Sequence, residues 1–319
     1  MPTEEMSESE TPLLYKDMDL SQLKGWSDNS IDSLDTIQRA SSLLPRIRQV
    51  ARMKTPSSDL FNSYIAPVGL PVVFTDMISQ EVLSKWHWEY ISSKYGHMLF
   101  GDVRQGEYKD EISKSGKKII NRVRMSIKDF VDITTNKREA REEEKLVYFA
   151  KKGLITSEEF GELIGYPPFY GNPESCFLTP SIWMGMPGTY TQGHFDSKDN
   201  FVYQMIGRKR WTLFSPQDHP FLYMVSAKGS LEWSSALETL EKLDKTKFPL
   251  LLKANPIQVT LNPGEVLYLP RGWVHAVENL EPAFMINLWR YGPAEILKLW
   301  SNKVEREIQN ICPAISSVK

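Results

Sequence analysis

The stretch from Glu174 to Tyr291 alternates short runs of β-branched and aromatic residues with turn signals. Seven runs have this character: Phe177–Met186, Phe201–Ile206, Lys209–Phe214, Ile257–Leu261, Val266–Leu269, Val274–Val277 and Ala283–Trp289. Turns that contain Gly and Pro separate them, for example at Pro187-Gly188 and Asn262-Pro-Gly264. Many short antiparallel strands joined by such turns are typical of a β-sandwich or β-barrel. The chain is therefore predicted to be mainly β, with flanking helices.

The segments outside this stretch carry different patterns. Residues 1–28 are rich in Ser, Glu and Asp and are predicted to be a flexible leader. Apolar residues at helical spacing predict N-terminal helices within residues 29–60 that pack on the core. The main domain is expected over residues 61–292, with an insertion at 218–253, and a C-terminal helix is expected over residues 293–319.

Local signals place further elements in the first part of the main domain. Leu70–Phe74 is apolar and short, which predicts a buried strand, and Ser79 is positioned to cap a helix that extends to Tyr95. Ser126 and Asp129 have capping-box spacing ahead of an apolar stretch, which predicts another helix. Lys118–Arg124 and Lys145–Ala150 have the length and alternation of strands.

The composition excludes several classes of protein. The 319 residues include 38 basic and 40 acidic side chains, a formal net charge of -2, which excludes a generally basic nucleic-acid coat but not a local basic groove. No apolar run approaches the roughly 20 residues that a membrane span needs, and the acidic N-terminus lacks a signal-peptide pattern. The two cysteines, Cys176 and Cys312, imply no disulfide framework, so a reducing, cytoplasmic location is expected.

Three side chains form a candidate metal-binding set. His194 and Asp196 lie two residues apart, so on a strand both would leave the same face, and His275 follows 81 residues later in another β-rich hairpin. Two imidazoles and one carboxylate are the ligands of non-haem Fe(II) oxygenases, which keep coordination positions open for a co-substrate and oxygen. Zinc accepts the same ligands, so a hydrolase-type site stays an alternative. A core histidine beside a surface carboxylate would also produce the pattern.

Longer motifs surround these three residues. They are GMPGTYTQGHFD (185–196), GRKRWTLFSP (207–216), PGEVLYLPRGWVH (263–275) and FMINLW (284–289). In these motifs the chain resembles the JmjC and cupin-like dioxygenases that use Fe(II) and 2-oxoglutarate, and within them the factor-inhibiting-HIF type of asparaginyl hydroxylase. The resemblance covers roughly residues 60–292. It implies a double-stranded β-helix, that is, the jelly-roll or cupin/JmjC barrel.

The same resemblance implies roles for particular residues. His194, Asp196 and His275 would ligate Fe(II), with 2-oxoglutarate as co-substrate and O2 as oxidant. Five further residues would contact 2-oxoglutarate or lie beside it and the metal: Thr191, Lys209, Tyr148, Asn200 and Asn287. Lys209 would pair with the distal carboxylate, and the hydroxyls of Thr191 and Tyr148 would donate to it.

Physical chemistry supports the role of Lys209 independently. A dicarboxylate held inside a barrel needs its remote charge neutralised, because an unpaired buried carboxylate is very costly. Lys209 shares one strand face with Trp211 and Leu213, so it is expected to point inward. Trp289 lies on the same strand face as Asn287 and is expected to line the substrate mouth.

These features predict an Fe(II)/2-oxoglutarate oxygenase that hydroxylates a C–H bond on a protein or peptide side chain. An N-methyl-lysine demethylase, an RNA hydroxylase and a small-molecule hydroxylase would use the same metal chemistry. A cupin-like binding protein without turnover is an alternative of a different class. A membrane partner is not expected, and the apolar face of the C-terminal helix suggests a homodimer.

Overall fold

The computed structural model describes residues 47–105, 111–112, 118–119, 122–170, 176–225, 233–234 and 246–290. The expected leader at residues 1–28, the helices expected between residues 29 and 46, and the C-terminal helix at 293–319 lie outside these ranges, as does most of the middle of the 218–253 insertion. No helix in the described ranges is long and apolar enough to cross a membrane.

The described strands form two main sheets. In chain order the strands are β1 (Ala51–Met53), β2 (Val72–Phe74), β3 (Leu99–Gln105), β4 (Glu111–Ile112), β5 (Lys118–Ile119), β6 (Arg122–Ser126), β7 (Val147–Lys152), β8 (Ser181–Gly185), β9 (Tyr190–His194), β10 (Asn200–Ile206), β11 (Lys209–Phe214), β12 (Met224–Val225), β13 (Trp233–Ser234), β14 (Ile257–Leu261), β15 (Val266–Leu269), β16 (Val274–Asn279) and β17 (Ala283–Trp289). The larger sheet has the order β1-β2-β15-β10-β17-β8-β7-β3-β6, and the smaller has the order β12-β13-β9-β16-β11-β14. β4 and β5 form a separate hairpin.

The connections alternate between the two sheets in the manner of a double-stranded β-helix. From β8 to β17 the chain passes from the larger sheet to the smaller one and back several times, and apart from the β1–β2 pair the paired strands are antiparallel. The fold is thus mainly β and has the jelly-roll architecture that the sequence predicts. Its interior lies between the two sheets, where inward side chains of both meet.

Helices cover the outer face of the larger sheet. The helical segment α1 consists of α-helix Ser58–Leu60, π-helix Phe61–Ile65 and α-helix Ala66–Val68, and it is followed by α2 (Gln80–Lys85), α3 (Trp88–Tyr95), α4 (Ile127–Thr134) and α5 (Ser157–Leu163). Phe61 of α1 stacks on Phe169 at a centroid distance of 4.0 Å and packs against Phe201 and Tyr268 at 5.8 and 5.1 Å. Because side chains alternate along β10, Phe201 faces these aromatic rings while Asn200 and Val202 face the barrel interior.

Capping residues explain where the helices begin. The Ser126 hydroxyl accepts from the Asp129 amide and the Asp129 carboxylate accepts from the Ser126 amide, so the predicted capping box is present. Ser79 caps α2 as expected. The single helix expected from Ser79 to Tyr95 is wrong, however, because His87 adopts an extended conformation and its side chain caps a second helix, α3.

Most predicted strands in the second half match the structure, and the differences lie mainly in the first. The runs Lys209–Phe214, Ile257–Leu261, Val266–Leu269 and Ala283–Trp289 are strands with those bounds. In contrast, residues 47–57 of the stretch expected to be helical contain no helix and include β1, which pairs in parallel with β2. A three-residue strand gives no periodic pattern, so its tertiary pairing outweighs the helical spacing around it.

Candidate metal centre

His194 and His275 lie directly opposite each other on neighbouring strands. β9 and β16 are antiparallel, their register pairs these two residues, and the imidazole centroids are 4.3 Å apart. Ligand atoms of His194, Asp196 and His275 all lie within 4.8 Å of one another, and all three side chains are buried. The structure therefore brings together the three residues that the sequence singles out.

The backbone that carries Asp196 differs from the strand that the sequence predicts. β9 ends at His194, so Asp196 lies in the following loop and not on the strand. The Gly272 amide donates to the Asp196 carbonyl at 3.0 Å, which ties this loop to the turn before β16. The two side chains converge as expected, but the loop, and not strand alternation, sets the position of the carboxylate.

The two imidazoles have the same orientation. Nδ1 of His194 lies 2.8 Å from the carbonyl oxygen of Gln192, and Nδ1 of His275 lies 3.0 Å from that of Trp273. A carbonyl oxygen only accepts hydrogen bonds, so each Nδ1 carries a proton, and it is Nε2 of each ring that is placed to bind a metal. This is the arrangement by which proteins orient histidine ligands of metals.

Two N–H groups hold the Asp196 carboxylate. The Trp289 indole Nε1 donates to Oδ2 at 2.8 Å, and the Asn200 side-chain amide donates to the same oxygen at 3.3 Å. Nε2 of His275 lies 3.9 Å from this oxygen. Two imidazoles and one buried carboxylate form a donor set that fits a divalent cation.

A second polar cluster lies deeper in the barrel, around Lys209. This lysine is fully buried, and its Nζ lies 3.4 Å from the carbonyl oxygen of Trp183 and 5.6 Å from the centre of the Tyr148 ring. Burial lowers the pKa of Lys209 to about 7. Among the described residues, no carboxylate pairs with it, so the site has the charge and burial that would accept an anionic ligand.

Two hydroxyls accompany this lysine. The Thr191 hydroxyl donates to the Tyr148 hydroxyl at 2.8 Å. The ladder between β9 and β16 shifts register between His275 and Val277, so that His194 pairs with His275 while Thr191 pairs with Val277. This irregularity allows two residues three positions apart to face the same interior. A buried lysine near two hydroxyls fits an anionic ligand.

Asn287 and Asn200 provide further buried polar atoms. Asn287 pairs with Val202 of β10 and Ser181 of β8, and Asn200 pairs with Trp289. Within the described part of the chain, the side-chain oxygens of both asparagines are buried and have no hydrogen-bond partner. An unpaired buried oxygen is costly, and it fits a site that receives a ligand.

Sequence reasoning missed an ion pair that supports the centre. Arg271 and Asp199 are both buried, and the guanidinium bonds both carboxylate oxygens at 3.1 Å. Although burial raises the pKa of Asp199, Arg271 and then Arg290 hold this pKa below its usual value. Arg271 lies in the motif PGEVLYLPRGWVH, which could have drawn attention to this residue. Its partner, however, is 72 residues away in the sequence.

His219 is also part of the surroundings of the centre. Its Nε2 lies 2.8 Å from the carbonyl oxygen of Gly272, and burial lowers the pKa of this imidazole to about 4. The ring packs against Phe195 at 5.2 Å. His219 is therefore a neutral structural residue that fixes the turn before β16.

This fold, together with the buried His-Asp-His cluster, defines a cupin-like protein of the JmjC type. The family model for the cupin-like domain matches residues 57–294, so the chain belongs to this family. The family resemblance read from the sequence is thus confirmed, while the asparaginyl hydroxylase type within it stays a prediction.

Relatives carry several different names. HSPB1-associated protein 1 of Rattus norvegicus is 43% identical over 124 residues, which is 38% of this chain and 26% of the relative. tRNA wybutosine-synthesizing protein 5 of Mus musculus is 26% identical over 79% of both chains. Lysine-specific demethylase 8 of Danio rerio is 27% identical over 79% of this chain and 60% of the relative. The match to HSPB1-associated protein 1 thus spans about a quarter of that protein.

Proposed function

We propose that this protein is an Fe(II)- and 2-oxoglutarate-dependent oxygenase that hydroxylates a C–H bond on a protein or peptide side chain. The observation that carries the proposal is the buried cluster of His194, Asp196 and His275, whose ligand atoms lie within 4.8 Å of one another. Membership of the cupin-like family supports oxygenase chemistry at this cluster.

Each group of residues has its own task. Nε2 of His194, Nε2 of His275 and the Asp196 carboxylate would hold the iron, and Lys209 with the Tyr148 and Thr191 hydroxyls would hold the distal carboxylate of 2-oxoglutarate. When bound, iron, 2-oxoglutarate and O2 supply the oxidising power, with one oxygen atom entering the substrate and the other entering succinate.

The surrounding side chains keep the ligands oriented and the site dry. The Trp211 ring stacks on the His275 imidazole at 5.4 Å, and Trp211 and Leu213 are fully buried beside it. The carbonyls of Gln192 and Trp273 fix the imidazole tautomers. These contacts hold the imidazoles in place and restrict water access, which is the contribution that the protein makes to this chemistry.

The substrate class is inferred from the resemblance and from the names of relatives. The likeness to a protein side-chain hydroxylase favours a protein or peptide, and lysine-specific demethylase 8 carries a protein-directed name. RNA is the second candidate, since tRNA wybutosine-synthesizing protein 5 aligns over 79% of both chains. A cytoplasmic location and a homodimer through the C-terminal helix belong to the same proposal, and that helix lies outside the described residues.

A turnover assay tests the proposal. The purified chain is incubated with Fe(II) and labelled 2-oxoglutarate, with and without O2, in the presence of a peptide library or a tRNA pool. The expected result is succinate that requires both Fe(II) and O2, with one oxygen atom added to a peptide. Oxygen added to tRNA would replace the peptide substrate by RNA. Failure to bind Fe(II) and 2-oxoglutarate in calorimetry, or activity supported by zinc without 2-oxoglutarate, would overturn the oxygenase assignment.

A further inference from the structure

Trp289 and Asn200 both donate to one oxygen of Asp196, the oxygen that lies 3.9 Å from Nε2 of His275. We propose that Trp289, assisted by Asn200, is a positioning residue that holds the Asp196 carboxylate beside the two imidazoles, in place to bind the metal. The inference rests on the proposed function, because it concerns the same metal site. It gives Trp289 a different task from the substrate mouth that the sequence suggests.

The hydrogen bonds carry this assignment. A carboxylate oxygen offers two lone pairs in the carboxylate plane, and Oδ2 of Asp196 receives the indole N–H at 2.8 Å and the amide N–H at 3.3 Å. The two donors together restrain rotation of the carboxylate.

The indole is itself held in place by the sheet. Trp289 pairs with Asn200 across β17 and β10, so both donors come from one cross-strand pair. The Leu178 amide donates to the Trp289 carbonyl at 2.8 Å, and the next amide, that of Arg290, donates to the Asp199 carbonyl at 2.8 Å. With the backbone bonded on both sides, the indole N–H has little freedom to follow a rotating carboxylate.

The consequence concerns the open coordination positions. An oxygenase of this type needs free positions for a bidentate co-substrate and for oxygen. A carboxylate that turned to bind through both oxygens would occupy one of them. By bonding Oδ2, Trp289 and Asn200 restrain such a rotation and prearrange the carboxylate before the metal arrives.

Trp289→Phe is the direct test, with Co(II) as the probe metal and no co-substrate present. The variant keeps an aromatic ring and removes the indole N–H. We expect Co(II) affinity to fall by about 10- to 100-fold, the range found when outer-shell partners of metal ligands are removed. The visible absorption spectrum of the bound Co(II) should also change, because the carboxylate binds differently.

Trp183→Phe is the matched control. The Trp183 ring lies 6.5 Å from the Trp289 ring, and its Nε1 is buried without a hydrogen-bond partner among the described residues. This variant should keep both the Co(II) affinity and the spectrum of the wild type. Circular dichroism establishes that both variants are folded.

The outcomes separate this inference from the proposed function. A wild-type chain that binds no Co(II) would remove the proposed metal site itself. Normal Co(II) affinity and an unchanged spectrum in a folded Trp289→Phe variant would overturn only the role of Trp289. If that variant does not fold, NMR of the wild-type protein loaded with diamagnetic Zn(II) decides the matter. A Trp289 indole proton protected from exchange supports the inference, and a freely exchanging one overturns it.

Discussion

Arg271 and Asp199 form a buried two-point ion pair, with Nε and Nη2 of the arginine each 3.1 Å from a different carboxylate oxygen. The Arg271 amide also donates to Asp199 at 3.0 Å. The pair joins the loop that carries Asp196 to the turn that precedes His275. The distances between the candidate metal ligands therefore depend on an ion pair that includes none of these three residues.

Asp199→Asn should destabilise the protein strongly. The change leaves the Arg271 guanidinium buried without its counter-charge, and breaking a buried ion pair on one side costs about 3–5 kcal/mol. We expect a loss of this size in the free energy of unfolding measured by urea denaturation. Co(II) affinity should fall as well, because the two ligand-bearing loops lose their connection.

The exposed pair of Arg208 and Glu281 is the control for this prediction. Their side chains are 50% and 40% exposed, and Arg208→Ala should cost no more than about 1 kcal/mol. Equal losses in the two variants would contradict the structural role assigned to Asp199.

His194→Ala and Asp196→Ala should each abolish tight metal binding and leave the fold largely intact. Each change removes one of the three ligands of a preformed cluster. Neither the His194 nor the Asp196 side chain belongs to the hydrophobic core. The measurements are metal content after reconstitution and the shift in melting temperature on adding Fe(II) or Co(II). His87→Ala, at a half-exposed histidine that caps α3, is the control and should bind metal normally. A variant at His194 that keeps stoichiometric metal would remove it from the ligand set.

Lys209 should make stability and ligand binding depend on pH. Burial lowers its pKa from 10.5 to about 7, so between these values the unfolded chain holds the proton and the folded chain does not. The contribution of this group to the free energy of unfolding therefore rises from about pH 7 to about pH 10.5 in the ligand-free protein. Lys209→Met should remove this rise, whereas Lys85→Met, at an exposed lysine, should keep it.

Binding of 2-oxoglutarate should be coupled to the same proton. A carboxylate ligand needs the charged ammonium, so above the pKa of Lys209 binding takes up a proton and the affinity falls as pH rises. Calorimetry in buffers with different ionisation enthalpies measures this uptake. A binding enthalpy that is independent of the buffer at those pH values would contradict the coupling.

Glu144 should stabilise the segment that leads into β7. Its carboxylate is buried and accepts from Arg138 at 2.7 and 3.1 Å and from the Arg141 side chain at 2.7 Å. Although burial raises its pKa, the bonds from these arginines outweigh that effect and lower the pKa to about 2. The stabilisation is present above the usual value of 4.5 and is lost as pH falls from there towards 2.

Glu144→Gln should therefore lower the stability measured at neutral pH and weaken the loss of stability between pH 4.5 and 2. Circular dichroism during acid titration measures both effects. Glu142→Gln changes a carboxylate that is 84% exposed and should leave the titration curve as in the wild type. Identical acid titrations of the Glu144 and Glu142 variants would show that the buried network has no such role.

Local patterns predicted much of the barrel but not its pairing. The strand Lys209–Phe214 and the capping box at Ser126 follow from neighbouring residues, so they could be predicted with their bounds. The split between α2 and α3 was missed, because the capping role of His87 depends on an extended backbone that periodicity does not reveal. The π-helix Phe61–Ile65 likewise has no sequence signature of its own.

For the site, the residue types came from sequence and their geometry came from the fold. The sequence alone identified His194, Asp196 and His275, because their side chains are metal ligands and they lie in recognisable motifs. The seven β-rich runs predicted the barrel around them. Tertiary structure decided three features of the site. These are the register that pairs His194 with His275, the irregularity that turns Thr191 inward, and the bond from Trp289 to Asp196 across 93 residues. The physical reason is that side-chain periodicity and capping act over a few residues, whereas register and buried polar contacts depend on packing between distant segments.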